Sequence, residues 1–198
     1  MDRSEILAWR KGKRVELIDA RKALTSAAHN AASAGIHQSL TKLFTPLPKA
    51  LVGAYWPFRR EYNVLAFLEW LTGRRFEVAL PVVLGKGLPL EFRPWTRDMQ
   101  MVSGVYDIPY PAHGAPVTPQ ILIIPMVGFD AGGYRLGYGG GFYDRTIATL
   151  SPKPLCVGTS FELARLETIY PLPHDIPMDY VATENGLFRR GENGLEPA

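Results

Sequence analysis

Cysteine is almost missing from this chain of 198 residues; Cys156 stands alone. One thiol excludes an internal disulfide and any zinc site built on paired cysteines, and it suits a reducing compartment. Long apolar runs are missing too. "ILIIPMVGF" (121–129) is among the longest, far short of the roughly 20 residues that span a bilayer. The N-terminal "MDRSEILAWRKGKRVELIDARKAL" lacks the apolar core of a secretory signal. A cytoplasmic protein with no membrane partner is expected, acting as a monomer. Nor does one sign of charge dominate. The 22 Lys and Arg against 19 Asp and Glu leave a net +3, which suits an anionic ligand but not the basic stripe of a nucleic-acid binder. His29, His37, His113 and His174 show no spacing for a shared metal. With no repeat, low-complexity tract or long linker, residues 1–198 read as a single domain.

What is present alternates between helix and strand. Apolar residues from Arg3 to about Leu24 recur at roughly helical spacing among many basic ones. A second helix follows, with Thr25 or Ser26 as its N-cap. "KALVGAYWPF" (49–58) reads as a buried strand closed by Pro57, and "NVLAFLEWLTG" (63–73) as a helix stopped by Gly73. "RFEVALPVV" and "LPLEFRPW" are two strands around a "GKG" turn, while 103–119, rich in Pro and Gly, is expected to be irregular. "PQILIIP" and "PLCVGTSF" are buried strands. "MDYVATENGLFRR" gives a strand, a turn and a short final strand. This order predicts an α/β domain with a largely parallel sheet.

Four glycines crowd into "YRLGYGGGFYDR" (134–145), ahead of a helix starting at "FYDRTIATL". A strand, a Gly-rich turn and a helix N-terminus together make a nest of N–H donors for phosphate. The stretch is neither a GxxxxGK[ST] loop nor a full GxGxxG. Arg135 and Arg145 can pair with phosphate oxygens, Asp144 can hold magnesium against them, and Tyr138, Phe142 and Tyr143 can stack on a flat ring. The plainer alternative is a Gly-rich turn with packing aromatics and Asp144 as a helix cap.

The run "PMVGFDAGGYRLGYGGGFYDR" (125–145) resembles the signature of the 5-formyltetrahydrofolate cyclo-ligase family, also called 5,10-methenyltetrahydrofolate synthetase. "AYWPFRREYN", "ALPVV", "PHDIPMDYVATE" and the N-terminal "RKGKRVELIDARKAL" resemble further family segments in the same order, so the likeness covers nearly the whole chain. The resemblance implies a three-layer α/β/α fold with a basic first helix. It also implies ATP- and magnesium-dependent cyclisation of 5-formyltetrahydrofolate to 5,10-methenyltetrahydrofolate, with ADP and phosphate released.

Carried over position by position, Arg135, Leu136, Gly137, Tyr138, Gly139, Gly140, Gly141, Phe142 and Tyr143 fall on the ATP-binding loop, with Tyr138, Phe142 and Tyr143 also facing the folate. Tyr143 and Arg145 fall in the catalytic segment, and Asp144 and Asp179 on the metal positions. Arg14 falls on a phosphate-contacting helix arginine. Glu61 takes the place of a glutamate that contacts the pterin, and Trp56 lines the substrate pocket. Read alone, Glu61 beside Arg59 and Arg60 is a solvated charge, Trp56 is core, Asp179 is a strand-edge charge or cap, and Cys156 is inert core.

The chain also departs from the family pattern. Arg10 stands where a lysine is usual, with Lys11 next to it, so either can reach ATP phosphate. Gly139, Gly140 and Gly141 leave the loop without an internal basic residue; "IPYP" replaces "IPEP" at 108–111, and Asn63 replaces an aspartate. Competing expectations are a nucleic-acid-binding module using the first helix, a different ATP-dependent or phosphosugar enzyme on this fold, and a folate binder without turnover.

Overall fold

A computed structural model describes residues 1–198. Helix α1 (Arg3–Ala23) opens on a capping box: Glu5 N donates to Asp2 Oδ1 (2.9 Å) and Asp2 N to Glu5 Oε2 (2.6 Å). Thr25 is the cap of α2 (Ser26–Phe44), accepting from Ala28 N at 3.1 Å. Then come β1 (Leu51–Gly53), α3 (Leu65–Gly73), β2 (Glu77–Val83), β3 (Leu90–Pro94), β4 (Met101–Ser103), β5 (Pro109–Pro111) and β6 (Ile121–Pro125). The remainder comprises β7 (Gly128–Asp130), β8 (Arg135–Leu136), α4 (Phe142–Thr149), β9 (Leu155–Thr159), β10 (Arg165–Leu166), β11 (Tyr180–Thr183), β12 (Gly186–Gly191) and β13 (Gly194–Pro197). No helix is long and apolar enough to cross a membrane.

Eight strands form the main sheet in the order β13-β12-β11-β9-β6-β1-β2-β3. The inner five, β11, β9, β6, β1 and β2, pair in parallel, and β3, β12 and β13 add antiparallel edges. Strand alternation builds two cores. Ile121, Ile123, Val78, Leu80, Val157 and Ala182 face the layer of α2 and α3. Leu122, Ile124, Ala79, Cys156 and Val181 face the other side, where Ile147 of α4 packs. Helices thus cover both faces, which is why the central strands read as unbroken apolar runs. Thr146 Oγ1 accepts from Leu90 N (2.8 Å) and pins α4 to β3. Helix α1 lies outside these layers. Its Leu17 and Ile18 pack on Val127, Ala164 and Ile169, residues that follow the carboxyl ends of β6 and β9.

After β1 the chain moves one way to β2, then returns past β1 to β6. The connections diverge there and leave a crevice above the strand ends, the usual ligand position in open α/β sheets.

Several local expectations need correction. The stretch 103–119 is irregular only after Pro111, since Met101–Ser103 and Pro109–Pro111 pair as a β4–β5 hairpin. Prolines 109 and 111 hid it, yet a two-stranded ribbon is all edge and tolerates their missing donors. Helix α3 includes Gly73, and the left-handed residue after it is Arg75 (φ 66). Strands β7 and β8, between β6 and the glycines, join β10 from beyond β9 in a second small sheet, β10-β7-β8. The final strand is β13, after the one expected.

Leu122 is fully buried between sheet and α4. Leu122→Ala is expected to lower stability by about 2–5 kcal/mol, measured by urea unfolding; a loss below about 1 kcal/mol would mean this layer is loosely packed.

Candidate functional site

Two loops leave the adjacent ends of β1 and β6 and meet over the crevice. The first runs through Tyr55 and Trp56 into a tight turn at Arg59 (φ 48) and Arg60 (φ 58). Two successive non-glycine residues with left-handed backbone cost on the order of 1 kcal/mol each and persist only under restraint. The turn delivers Glu61 inward. Only 5% of it is exposed, so it is not the solvated charge that its arginine neighbours suggested. Glu61 Oε2 accepts from Phe58 N (2.8 Å) and Oε1 from the Tyr138 hydroxyl (2.7 Å). Tyr55, wholly buried in the crevice floor, donates to Tyr62 O (3.0 Å) and lies 3.0 Å from Thr159 Oγ1 at the end of β9. Trp56 is half-buried against the α2–α3 core.

The second loop is the glycine stretch. Asp130 organises its base: Oδ1 accepts from Gly132 N and Tyr134 N (both 3.0 Å) and Oδ2 from Ile169 N (3.0 Å). Gly139 (φ 95) and Gly141 (φ 65) need the left-handed backbone that glycine allows. Gly137, by contrast, has open space where a Cβ would stand. None of the backbone N–H groups from Tyr138 to Asp144 donates to a backbone carbonyl, so the loop and the start of α4 form one concave row of donors. Arg145 folds back to donate to Gly140 O and covers the Phe142 ring at 5.3 Å.

Helix α1 closes the site from above. Arg14 Nε donates to Gly137 O (2.7 Å), and its guanidinium lies beside Gly139. The other Arg14 donors have no protein acceptor. Burial first, then the charge of Arg10, hold its pKa below the ordinary value, with Asp175 opposing. A cation so placed gains from a nearby anion. Arg10 lies on the same face but is committed elsewhere: it pairs with Asp175 Oδ2 (2.6 Å) and donates to Ile169 O (2.9 Å) and Tyr170 O (2.8 Å). Lys11 points to solvent. Arg21, which the sequence did not single out, is buried and donates to Arg59 O (3.1 Å) and Tyr138 Oη (2.9 Å). Its signal was helical spacing, two turns beyond Arg14. Arg10, Arg14 and Arg21 thus all turn inward toward the loops, while Arg3, Lys11 and Lys22 of α1 are exposed.

Arg135 is also turned in, against expectation. Its Nη2 pairs with Asp144 Oδ1 (2.8 Å) and its Nη1 donates to Ile176 O (2.9 Å). Ile176 N donates to that same Asp144 oxygen (3.0 Å), leaving Oδ2 free. Asp144 is therefore not the α4 cap, which is Gly141. Both Asp179 oxygens are engaged, by Cys156 N (2.8 Å) and Lys153 Nζ (3.3 Å). No group of three potential metal ligands occurs. A magnesium ion held mainly by phosphate needs only one or two carboxylates, and the free Asp144 oxygen fits that modest requirement. Cys156 is buried, and burial, then Asp179, pushes its thiol up to about 12, so it is inert.

A doubly wound sheet with a donor-rich loop and a buried carboxylate at its switch point defines an α/β protein with its ligand cleft at the carboxyl ends of the strands. Residues 6–184 match the profile of the 5-formyltetrahydrofolate cyclo-ligase family, and the chain belongs to that family. It is thus a cyclo-ligase that converts 5-formyltetrahydrofolate to methenyltetrahydrofolate. The chain is 30% identical to the 5-formyltetrahydrofolate cyclo-ligase of Haemophilus influenzae over 173 residues, covering 83% of this chain and 92% of that one. Identity to the Mycolicibacterium smegmatis enzyme is 34% over 143 residues, 67% and 72% of the two chains. Among solved structures, the 5,10-methenyltetrahydrofolate synthetase of Aquifex aeolicus superposes with a TM-score of 0.78 at 25% identity, covering 96% of each chain. The Mycoplasma pneumoniae synthetase (0.74, 22% identity, 88% and 98% covered) shares the fold.

Burial raises the Glu61 pKa from 4.5 to about 6, although Arg21, the Tyr138 hydroxyl and Phe58 N all pull it down. The neutral form therefore favours the folded state. That stabilisation is complete below about pH 4.5 and is lost as pH rises through about 6. Between pH 4 and 7.5, urea unfolding is expected to show wild type losing about 2 kcal/mol relative to Glu61→Gln. A pH-independent difference between the two would refute the raised value.

Proposed function

We propose that this cyclo-ligase uses ATP as co-substrate with magnesium, acting as a cytoplasmic monomer, and activates the formyl oxygen by phosphorylation. Ring closure must expel the oxygen of an N-formyl amide, and oxide is too poor a leaving group to depart unaided. Transfer of the γ-phosphoryl group to that oxygen gives an imidate phosphate and ADP. N10 of the folate then attacks the activated carbon and gives up its proton to solvent, and phosphate leaves with the former formyl oxygen. The protein's part is alignment and charge stabilisation, with no covalent nucleophile.

The reading rests on one observation. The donor-rich glycine loop and the buried Glu61 carboxylate meet at 2.7 Å through Tyr138, so a phosphate on one side and a flat ring on the other are brought edge to edge. On the phosphate side, the N–H row from Tyr138 to Asp144 and the free Arg14 donors receive the oxygens. Arg145, folded over the loop beside Phe142, lies near the transferring group. The free oxygen of Asp144 would hold magnesium, whose chemistry there would be to offset phosphate charge, while Asp179, with both oxygens engaged, would have to release a partner to join it. Arg10 and Arg135 act as anchors for the surrounding chain. On the folate side, Glu61 accepts paired N–H bonds from the 2-amino group and adjacent ring nitrogen, with Trp56, Tyr138, Phe142 and Tyr143 as ring-lining groups. Burial and then the charge of Glu61 raise the Tyr143 hydroxyl pKa, so it stays a neutral donor.

Mixing the protein with 5-formyltetrahydrofolate, magnesium and ATP should raise methenyltetrahydrofolate absorbance, with one ADP per product. Absorbance that rises equally without ATP would sink the phosphorylation route. Asp144→Asn is expected to lower kcat about a hundredfold and weaken its magnesium dependence; an unchanged rate and magnesium response would remove Asp144 from the metal site. Glu61→Ala is expected to raise KM for the folate about tenfold or more while KM for ATP changes little; equal rises would argue against pterin contact.

A further inference from the structure

The strained turn that carries Glu61 has few ways to hold its shape. Arg59 and Arg60 both adopt left-handed backbone without being glycine, and such geometry survives only where neighbours over-determine it. Those neighbours are the end of α1 and the start of α2. Arg60 Nη2 donates to Leu24 O (2.9 Å), His29 Nε2 lies 3.1 Å from Arg60 O, and Arg21 Nε donates to Arg59 O (3.1 Å). Arg21 also reaches the other loop. Its Nη2 donates to Tyr138 Oη (2.9 Å), whose proton is given to Glu61 Oε1 (2.7 Å). Only 4% of Arg21 is exposed and no carboxylate pairs with it directly; Glu61, one hydroxyl away, is the charge that compensates it.

We propose that Arg21 is a positioning residue for folate recognition, gripping the Arg59–Arg60 turn and the Tyr138 hydroxyl at once and so fixing the Glu61 carboxylate toward the pterin. The planar fork matters, because its separate N–H groups reach two loops in one rigid geometry, which a lysine ammonium does not. Arg14, two turns earlier, grips Gly137 next to Tyr138. The two arginines therefore share the loop, Arg14 on its phosphate side and Arg21 on its folate side.

The inference rests on Glu61 as the pterin-binding carboxylate, and the test separates the two claims. KM for 5-formyltetrahydrofolate and for ATP is measured for wild type, Arg21→Met, Arg21→Lys, Glu61→Ala and the Arg21→Met/Glu61→Ala double variant, with folding verified by urea unfolding. Arg21→Met is expected to raise KM for the folate about tenfold with KM for ATP within about twofold. Arg21→Lys should fall between this and wild type, and it carries the comparison if the methionine variant does not fold. The double variant should bind folate no worse than Glu61→Ala alone, since Arg21 acts through Glu61. If Glu61→Ala leaves the folate KM unchanged, the pterin reading itself fails. If Glu61→Ala raises it but neither Arg21 variant does, positioning by Arg21 is overturned. Losses that multiply in the double variant, or equal rises for ATP and folate, also overturn it.

Discussion

A guanidinium cannot be buried without acceptors, and the site depends on how α1 meets that demand. Arg10 and Arg21 are almost wholly buried and Arg14 is half-buried. An unpaired charge in such a setting costs far more than any single contact in the fold supplies. The acceptors come from three separate segments: Ile169, Tyr170 and Asp175; Gly137 and Tyr138; and Arg59. All lie in connections outside strands and helices. Satisfying α1 therefore orders three loops at once, and those loops are the walls of the cleft.

The sheet decides where this ordering takes place. Its five parallel strands are packed on both faces by alternating side chains and carry almost no chemistry of their own. The reversal of direction between β1 and β6 parts two connections at their carboxyl ends. One carries a buried carboxylate and the other a row of free N–H groups. Within the cleft, left-handed backbone falls at Arg59, Arg60, Gly139 and Gly141, where a rigid frame can sustain it.

Charged groups in the cleft fall into two kinds. Arg10 with Asp175, and Arg135 with Asp144 Oδ1 and Ile176, are closed off by good partners and hold the chain together. Glu61 and Arg14 are different. Burial raises the pKa of the first and lowers that of the second, so the charged form of each is disfavoured beyond what its protein partners offset. Groups in that condition gain most when a ligand arrives with the complementary pattern. The free oxygen of Asp144 belongs with them, while the second one is part of the frame.

Local order was readable from local cause. The helical spacing of α1, the Thr25 cap, the apolar runs of β6 and β9, and the glycine loop ahead of α4 each follow from patterns local in the chain. The β4–β5 hairpin escaped because its prolines break the pattern by which strands are recognised, and Asp130 because its partners lie partly beyond the turn it builds. Arginines were harder still. Nothing in "RKGKRVELIDARKAL" says that Arg10 ends on Asp175 or Arg21 on Tyr138, for helical spacing assigns a shared face but not what that face meets. By itself the sequence determined the α/β order, the family and the glycine loop, because repeated apolar spacing and a backbone that needs glycine are local demands. Only the tertiary structure decided that Glu61 is buried, that Arg135 is an anchor and that Arg21 joins the Arg59–Arg60 turn to Tyr138. The long-range partners are 38 positions apart for Arg21 and Arg59, 41 for Arg135 and Ile176 and 77 for Glu61 and Tyr138, brought together only when the sheet sets its strand order.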